Sequence, residues 1–190
     1  MATNEKVAED AWIETVSGTK FYFLNPQEDQ IKIKDIAWAL SNICRFTGHT
    51  KRFYSVAEHS YNVAMLCPPY LALEGLLHDA SEAYLNDIAS PVKQFLPEYK
   101  EMEEKVERAI YAKFMLGMPM SKAVKDADVA QLCHEAYYLL PSQGLDWKER
   151  VIGKRGIEPV GWKPEVAYNN FMTLFTQLEK NHEFNVKKIA

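Results

Sequence analysis

The chain has 190 residues, a mass of 21.8 kDa and a formal net charge of −4, with a pI of about 5.8. Hydrophobic residues make up 47% and charged residues 25%, a globular balance that excludes long disorder. No apolar run reaches the roughly 18 residues of a membrane span, and no basic stripe exists to coat a nucleic acid polymer. The length fits one domain built on one core. The start, M-A-T-N-E-K-V-A-E-D, has no apolar stretch of the kind that opens a signal peptide. Cys44, Cys67 and Cys133 are far apart in apolar contexts and read as buried thiols of a reducing compartment, which points to the cytoplasm.

Residues 1–10 read as a frayed start. Residues 11–24 hold two short β-prone runs around Ser17-Gly18, a hairpin signal that Asn25-Pro26 ends. Helical patterns follow. The first is expected over about 35–44 with Asp35 as its cap, followed by the loop R-F-T-G-H-T-K-R-F-Y. The second opens at Ser55, where Glu58 three residues on completes a capping box, and stops at Pro68-Pro69. The third, about 70–86, is apolar all round and reads as a central buried helix. A short loop, I-A-S-P-V-K, precedes an amphipathic outer helix over about 98–115 and another over 121–140. Residues 141–164 carry four Gly and three Pro and read as a long loop, a lid or a subunit contact. Pro164 starts a last helix to about Lys180. The expected architecture is all-α, a bundle with a short N-terminal β-hairpin.

Four ionisable residues fall in these apolar helices: His59, the pair His78-Asp79, and Asp128, with Asp126 competing for the last place. Each alone is compatible with an ordinary buried, hydrogen-bonded side chain. Together they have one economical solution, because burying unpaired charge costs several kcal/mol. Two neutral imidazoles and two carboxylates suit a divalent cation and leave positions open for water and substrate. Trp12, Trp38, Tyr137 and Tyr138 read as core, His134 as structural, and Glu103-Glu104 as a solvated face.

The order His, then His-Asp, then Asp over successive helices resembles the HD-domain superfamily of metal-dependent phosphohydrolases, over about residues 35–140. The stretch Y-S-V-A-E-H-S (54–60) and the block L-L-H-D-A-S-E-A-Y-L-N-D-I-A-S-P-V-K (76–93) are similar to its subgroup of bacterial 5′-deoxynucleotidases and phage deoxynucleoside triphosphate hydrolases. The resemblance implies a single HD-domain helical bundle with His59, His78, Asp79 and Asp128 as metal ligands. The ion would be Zn, Co, Mn, Ni or Mg. Glu82, four residues after His78 and so expected on the same helical face, would activate water. Asp87 would steer the water or protonate the leaving oxygen. Arg45 would bind phosphate through its planar fork, and Phe46, where many relatives carry Trp, would lie against the sugar. Lys51, with His49 and Arg52, adds positive charge to that loop, and Lys93 would reach phosphate.

The expected reaction is cleavage of the P–O5′ bond of a deoxynucleotide. A small chain with a basic 45–52 loop favours a dATP or dNTP triphosphohydrolase of phage type, working in the host cytoplasm. The alternatives are a 5′-deoxynucleotidase acting on monophosphates and a non-catalytic nucleotide-sensing module. Hydrolysis of cyclic dinucleotides or (p)ppGpp uses the same scaffold, but the H-D-A-S-E and S-P-V-K block points away from it. A homo-oligomer is expected, with neither a nucleic acid polymer nor a membrane as partner.

Overall fold

Helical spacing of apolar residues builds most of the fold. The computed structural model describes residues 11–145 and 156–189, with 183–189 as backbone. The expected frayed start therefore lies outside the described residues, as does the middle of the 141–164 loop. Strands β1 (Ile13–Glu14) and β2 (Lys20–Phe21) pair antiparallel, Ile13 opposite Phe21 and Glu14 opposite Lys20. The turn carries Gly18 at φ 76°, a left-handed conformation that glycine adopts freely. The helices are α1 (Ile33–Asn42), α2 (Val56–Leu66), α3 (Ala72–Leu77), α4 (Glu82–Leu85), α5 (Ser90–Lys93), α6 (Pro97–Lys113), α7 (Lys122–Leu139) and α8 (Pro164–Ile189). The all-α bundle with its N-terminal hairpin is thus present.

The main core joins Phe21 of the hairpin, Ile36 and Leu40 of α1, Leu76 and Leu77 of α3, Ile110 and Tyr111 of α6, and Phe171 and Phe175 of α8. Every residue of α3 is buried, including Glu74, whose carboxylate accepts from Ser121 Oγ at 2.8 Å. A smaller cluster of Val63, Cys67, Val124 and Ala127 ties α2 to α7.

Several expectations are corrected. Lys32, not Asp35, precedes α1; the Asp35 carboxylate is buried and accepts from Thr15 Oγ1 (2.7 Å), Ser17 N (3.1 Å) and Ser17 Oγ (2.8 Å). It is spent on pinning the hairpin to α1. The predicted 70–86 helix is broken: a 3₁₀ turn at Pro69–Leu71 leads into α3, and turns over 78–81 separate α3 from α4. Only half of the Ser55–Glu58 capping box forms. Ser55 Oγ accepts from Glu58 N at 3.1 Å, but the Glu58 carboxylate takes the backbone N–H groups of Val160 (2.7 Å), Gly161 (3.0 Å) and Trp162 (2.6 Å). Three donors from a distant loop offer more than one at the helix start. Of the thiols only Cys67 is buried; Cys44 and Cys133 are half-buried, and none of the three forms a disulfide. Trp12, Trp38 and Tyr137 are exposed and not core.

Helices α2 and α3 cross at Gly75. A Cβ there would stand 2.8 Å from Cys67 Sγ and 3.1 Å from Ala64 Cα, so only glycine allows this approach. Gly75→Ala should lower stability by about 1–3 kcal/mol, read as a lower urea midpoint at unchanged slope; an unchanged midpoint would contradict this packing.

Candidate metal centre and adjoining cleft

Three separate segments deliver the centre. His59 lies one turn into α2, behind the Ser55 cap. His78 and Asp79 stand where α3 ends. Asp128 and Glu135 lie two turns apart on α7 and so share a face. Beside them, residues 44–55 close into a loop: Cys44 bridges Ser55, Arg45 N donates to Tyr54 O (2.9 Å) and Val56 N to Ile43 O (3.0 Å). That closure seats Arg45 against the start of α2.

The donor atoms converge. Ligand atoms of His59, His78 and Asp128 all lie within 4.8 Å of one another. His59 Nε2 is 3.3 Å from His78 Nε2 and 3.1 Å from Asp128 Oδ1, and His78 Nε2 is 3.8 Å from Asp128 Oδ1. Asp79 Oδ2 is 3.3 Å from His78 Nε2 and 3.5 Å from His59 Nε2. A ligand bond of about 2.1 Å implies ligand–ligand separations of about 3.0–3.4 Å in octahedral and tetrahedral arrangements, so the spacing fits an ion.

Hydrogen bonding makes the same point. His59 Nδ1 is 2.7 Å from Glu135 Oε1 and His78 Nδ1 is 2.8 Å from Gly75 O. Carboxylate and carbonyl oxygens only accept, so both Nδ1 atoms carry the proton. In the neutral rings both Nε2 lone pairs then face each other, which a cation between them stabilises. Asp126, the competitor, is exposed and pairs with Lys122 at 2.6 Å, so the cluster takes Asp128.

The imidazole side chains are sealed, at 0% and 2% exposure, while Asp79 (20%) and Asp128 (34%) open to solvent. Burial opposes charge on both rings, and Arg45 opposes it at His59. The surrounding carboxylates outweigh this and raise both imidazole pKa values, His78 well above the usual range. The imidazoles in turn hold Asp79 and Asp128 far below the carboxylate range, against the effect of burial.

Glu82 does not follow His78 on one continuous helix as the i, i+4 expectation required. It opens α4 after the break, with its N–H on Asp79 O at 3.0 Å. Its Oε2 is buried without a hydrogen-bond partner. Burial, then the charges of Asp79 and Asp87, push its pKa well up. Lys93 Nζ lies 3.8 Å from Glu82 Oε1 and 2.6 Å from Glu103 Oε1, so Glu103 is an ion-pair partner rather than a solvated face.

Beside the centre is a cleft of about 910 Å³ lined by Arg45, Phe46, His49, Asp87, Leu132 and Leu140, among others. Arg45 Nη1 donates to Asp79 Oδ2 (3.3 Å) and Nε to Glu135 Oε2 (3.1 Å). Phe46 and Thr47 both sit at left-handed φ, 54° and 53°, conformations that cost about 1–3 kcal/mol each in non-glycine residues. Asp87 is half-buried in the wall, its pKa raised by burial. Lys51 does not join the cleft walls. Its backbone N–H donates to Leu139 O (3.0 Å), and its Nζ lies 3.5 Å from Tyr138 O at the end of α7. Arg52 is turned to Pro159 O.

The sequence reading missed Glu135 and Tyr54. Glu135 is fully buried and receives His59, Arg45 and the Tyr54 hydroxyl (2.7 Å). Its place seven residues after Asp128 on one helix was the available signal; Tyr54 offered none.

The raised imidazole pKa values give the metal-free protein a signed pH dependence. Protons stabilise its fold: that contribution is complete below the ordinary imidazole pKa of about 6.5 and is lost as pH climbs through the raised native values. The urea stability of chelated protein should fall from pH 6.5 to 8.5, and Mn²⁺ should restore it at pH 8.5. Stability of the chelated protein that rises over that window would contradict this electrostatic picture.

The chain has relatives among known proteins. A family model described as "YfbR-like: 5′-deoxynucleotidase YfbR-like" matches residues 66–136, a span with His78, Asp79, Glu82, Asp128 and Glu135. The chain is similar to the "Uncharacterized protein YfdR" of Escherichia coli (strain K12), 42% identical over 172 residues, covering 90% of this chain and 97% of that protein. It is also similar to an uncharacterized protein of Rhodobacter capsulatus, 33% identical over 158 residues, covering 76% of this chain and 80% of that one. The chain therefore belongs to the HD-domain superfamily of metal-dependent phosphohydrolases, and over residues 66–136 it is similar to the family described as YfbR-like 5′-deoxynucleotidases.

Proposed function

We propose that the protein is a 5′-deoxynucleotidase, which hydrolyses deoxynucleoside 5′-monophosphates to a deoxynucleoside and phosphate. His59, His78, Asp79 and Asp128 hold the divalent ion in this reading. The ion supplies Lewis acidity, drawing charge from a phosphoryl oxygen and acidifying water.

The chain's own residues do the rest. Nη2 and the second Nη1 hydrogen of Arg45 remain for phosphate oxygens, and its ties to Glu135 and Asp79 aim them. Glu82, with a raised pKa and an unpartnered buried oxygen, takes the proton of the attacking water. Asp87, in the cleft wall with a raised pKa, gives a proton to the departing O5′. Lys93 sets the charge around Glu82 and does not contact phosphate in this scheme. Phe46, Leu132 and Leu140 offer apolar faces to sugar and base.

The observation that carries the monophosphate reading is the disposition of cations. The triphosphate expectation rested on the basic 45–52 loop, but Lys51 and Arg52 are turned to backbone carbonyls at Tyr138 and Pro159. Arg45 and His49 are the loop's only basic side chains among the cleft-lining residues. One phosphate suits that supply better than three. The description of the matching family, a 5′-deoxynucleotidase, supports the same choice.

Chromatography of dAMP and dATP reactions with phosphate release tests it. The expected result is deoxyadenosine and phosphate from dAMP, abolished by EDTA and reduced at least about 100-fold in Glu82→Gln. Release of intact triphosphate from dATP, with dAMP untouched, would overturn it in favour of a triphosphohydrolase. Turnover that survives Asp79→Ala would refute the metal requirement.

A further inference from the structure

The carboxylate of Glu135 has 0% exposure, and its partners come from three places along the chain. Oε1 accepts from His59 Nδ1 at 2.7 Å and from the Tyr54 hydroxyl at 2.7 Å; Oε2 accepts from Arg45 Nε at 3.1 Å. Asn62 Nδ2 donates to the Tyr54 oxygen at 3.2 Å and so fixes that hydroxyl's direction. Burying a carboxylate this deeply costs several kcal/mol unless its lone pairs are filled, and here two of its three donors are site residues.

From this geometry we infer that Glu135 is a positioning residue that couples the metal centre to the phosphate-binding arm. It does so in two ways. By accepting from Nδ1 it fixes His59 in the tautomer whose Nε2 is free for a cation, and it raises the basicity of that nitrogen. By accepting from Arg45 Nε it anchors one edge of the guanidinium, whose Nη1 meets Asp79, in a side chain that lines the cleft. One carboxylate therefore sets the relative placement of a metal ligand and an anion ligand that are 14 residues apart in the chain (59 − 45). Glu135 touches neither ion nor phosphate in this scheme.

The inference rests on the metal-centre reading, and the test separates the two. Co²⁺ is titrated against the full chain and followed by its visible absorption, with no substrate present. In Glu135→Gln, which keeps the volume and removes the charge, Co²⁺ affinity should fall by about 10–100-fold while far-UV circular dichroism is unchanged. A part that only supported the fold would lower the urea midpoint and leave the affinity of the folded protein alone. Affinity within twofold of the native value in folded Glu135→Gln overturns the inference while native Co²⁺ binding leaves the centre standing. Native protein that binds no Co²⁺ overturns both. If the variant does not fold, ¹⁵N-resolved spectra of the native protein decide: a His59 ring protonated at Nδ1 and bare at Nε2 supports the inference, and the opposite tautomer overturns it.

Discussion

Two imidazole nitrogens that point at one another 3.3 Å apart are the constraint on which this structure depends. Each ring has its other nitrogen committed, one to the Glu135 carboxylate and one to the Gly75 carbonyl. Neither ring can turn its proton inward without losing a short buried bond, so the inner faces of both are bases. A pair of opposed lone pairs with two carboxylates at its rim is an electrostatic arrangement that only positive charge completes. Protons can supply that charge, which is why the acids lift both imidazole pKa values in the metal-free protein. A divalent ion supplies it in one particle.

The fold serves this convergence. Gly75 lets α3 lie close enough to α2 for His78 to meet His59, and its own carbonyl fixes the His78 ring. The break over 78–81 is part of the same device. A continuous helix would carry Asp79 away from His78 by the ordinary 100° step, whereas across the turn Asp79 Oδ2 stays 3.3 Å from His78 Nε2. On the opposite side, Glu58, adjacent to His59, clasps Val160, Gly161 and Trp162, and Gln131, near Asp128, holds Ile157 through both its amide N–H and its carbonyl (3.0 and 2.9 Å). The two ligand-bearing helices α2 and α7 are thus strapped by one short segment that follows residue 155.

What was legible in the sequence was chemistry that has a short-range signature. The His-Asp dipeptide in an apolar helix, the Ser55 cap and the diproline stop each act within a few residues, and the helices and ligand candidates came from them. What was not legible depended on partners far along the chain. Glu135 looks like any helical glutamate until Arg45, Tyr54 and His59 are brought to it. Glu58 looks like half of a capping box until the loop at 160–162 arrives with three N–H groups. The helix over 70–86 kept its apolar spacing through Ala80 and Ala83, so spacing alone gave no sign that 78–81 would turn. The partners of the basic loop were hidden for the same reason: Lys51 and Arg52 find carbonyls at Tyr138 and Pro159, more than 80 residues away in sequence. Exposed Trp12 and Trp38 reflect a domain too small to cover every aromatic ring.

The central claim, that these groups form one metal site, is tested most directly by anomalous diffraction from crystals grown with Mn²⁺ and recorded on both sides of the manganese edge. The account predicts one strong peak at about 2.1 Å from His59 Nε2, His78 Nε2 and Asp128 Oδ1, with Asp79 completing the protein ligands. A fully occupied ion bound elsewhere, with His59 and His78 still facing each other across an ion-free gap, would contradict it.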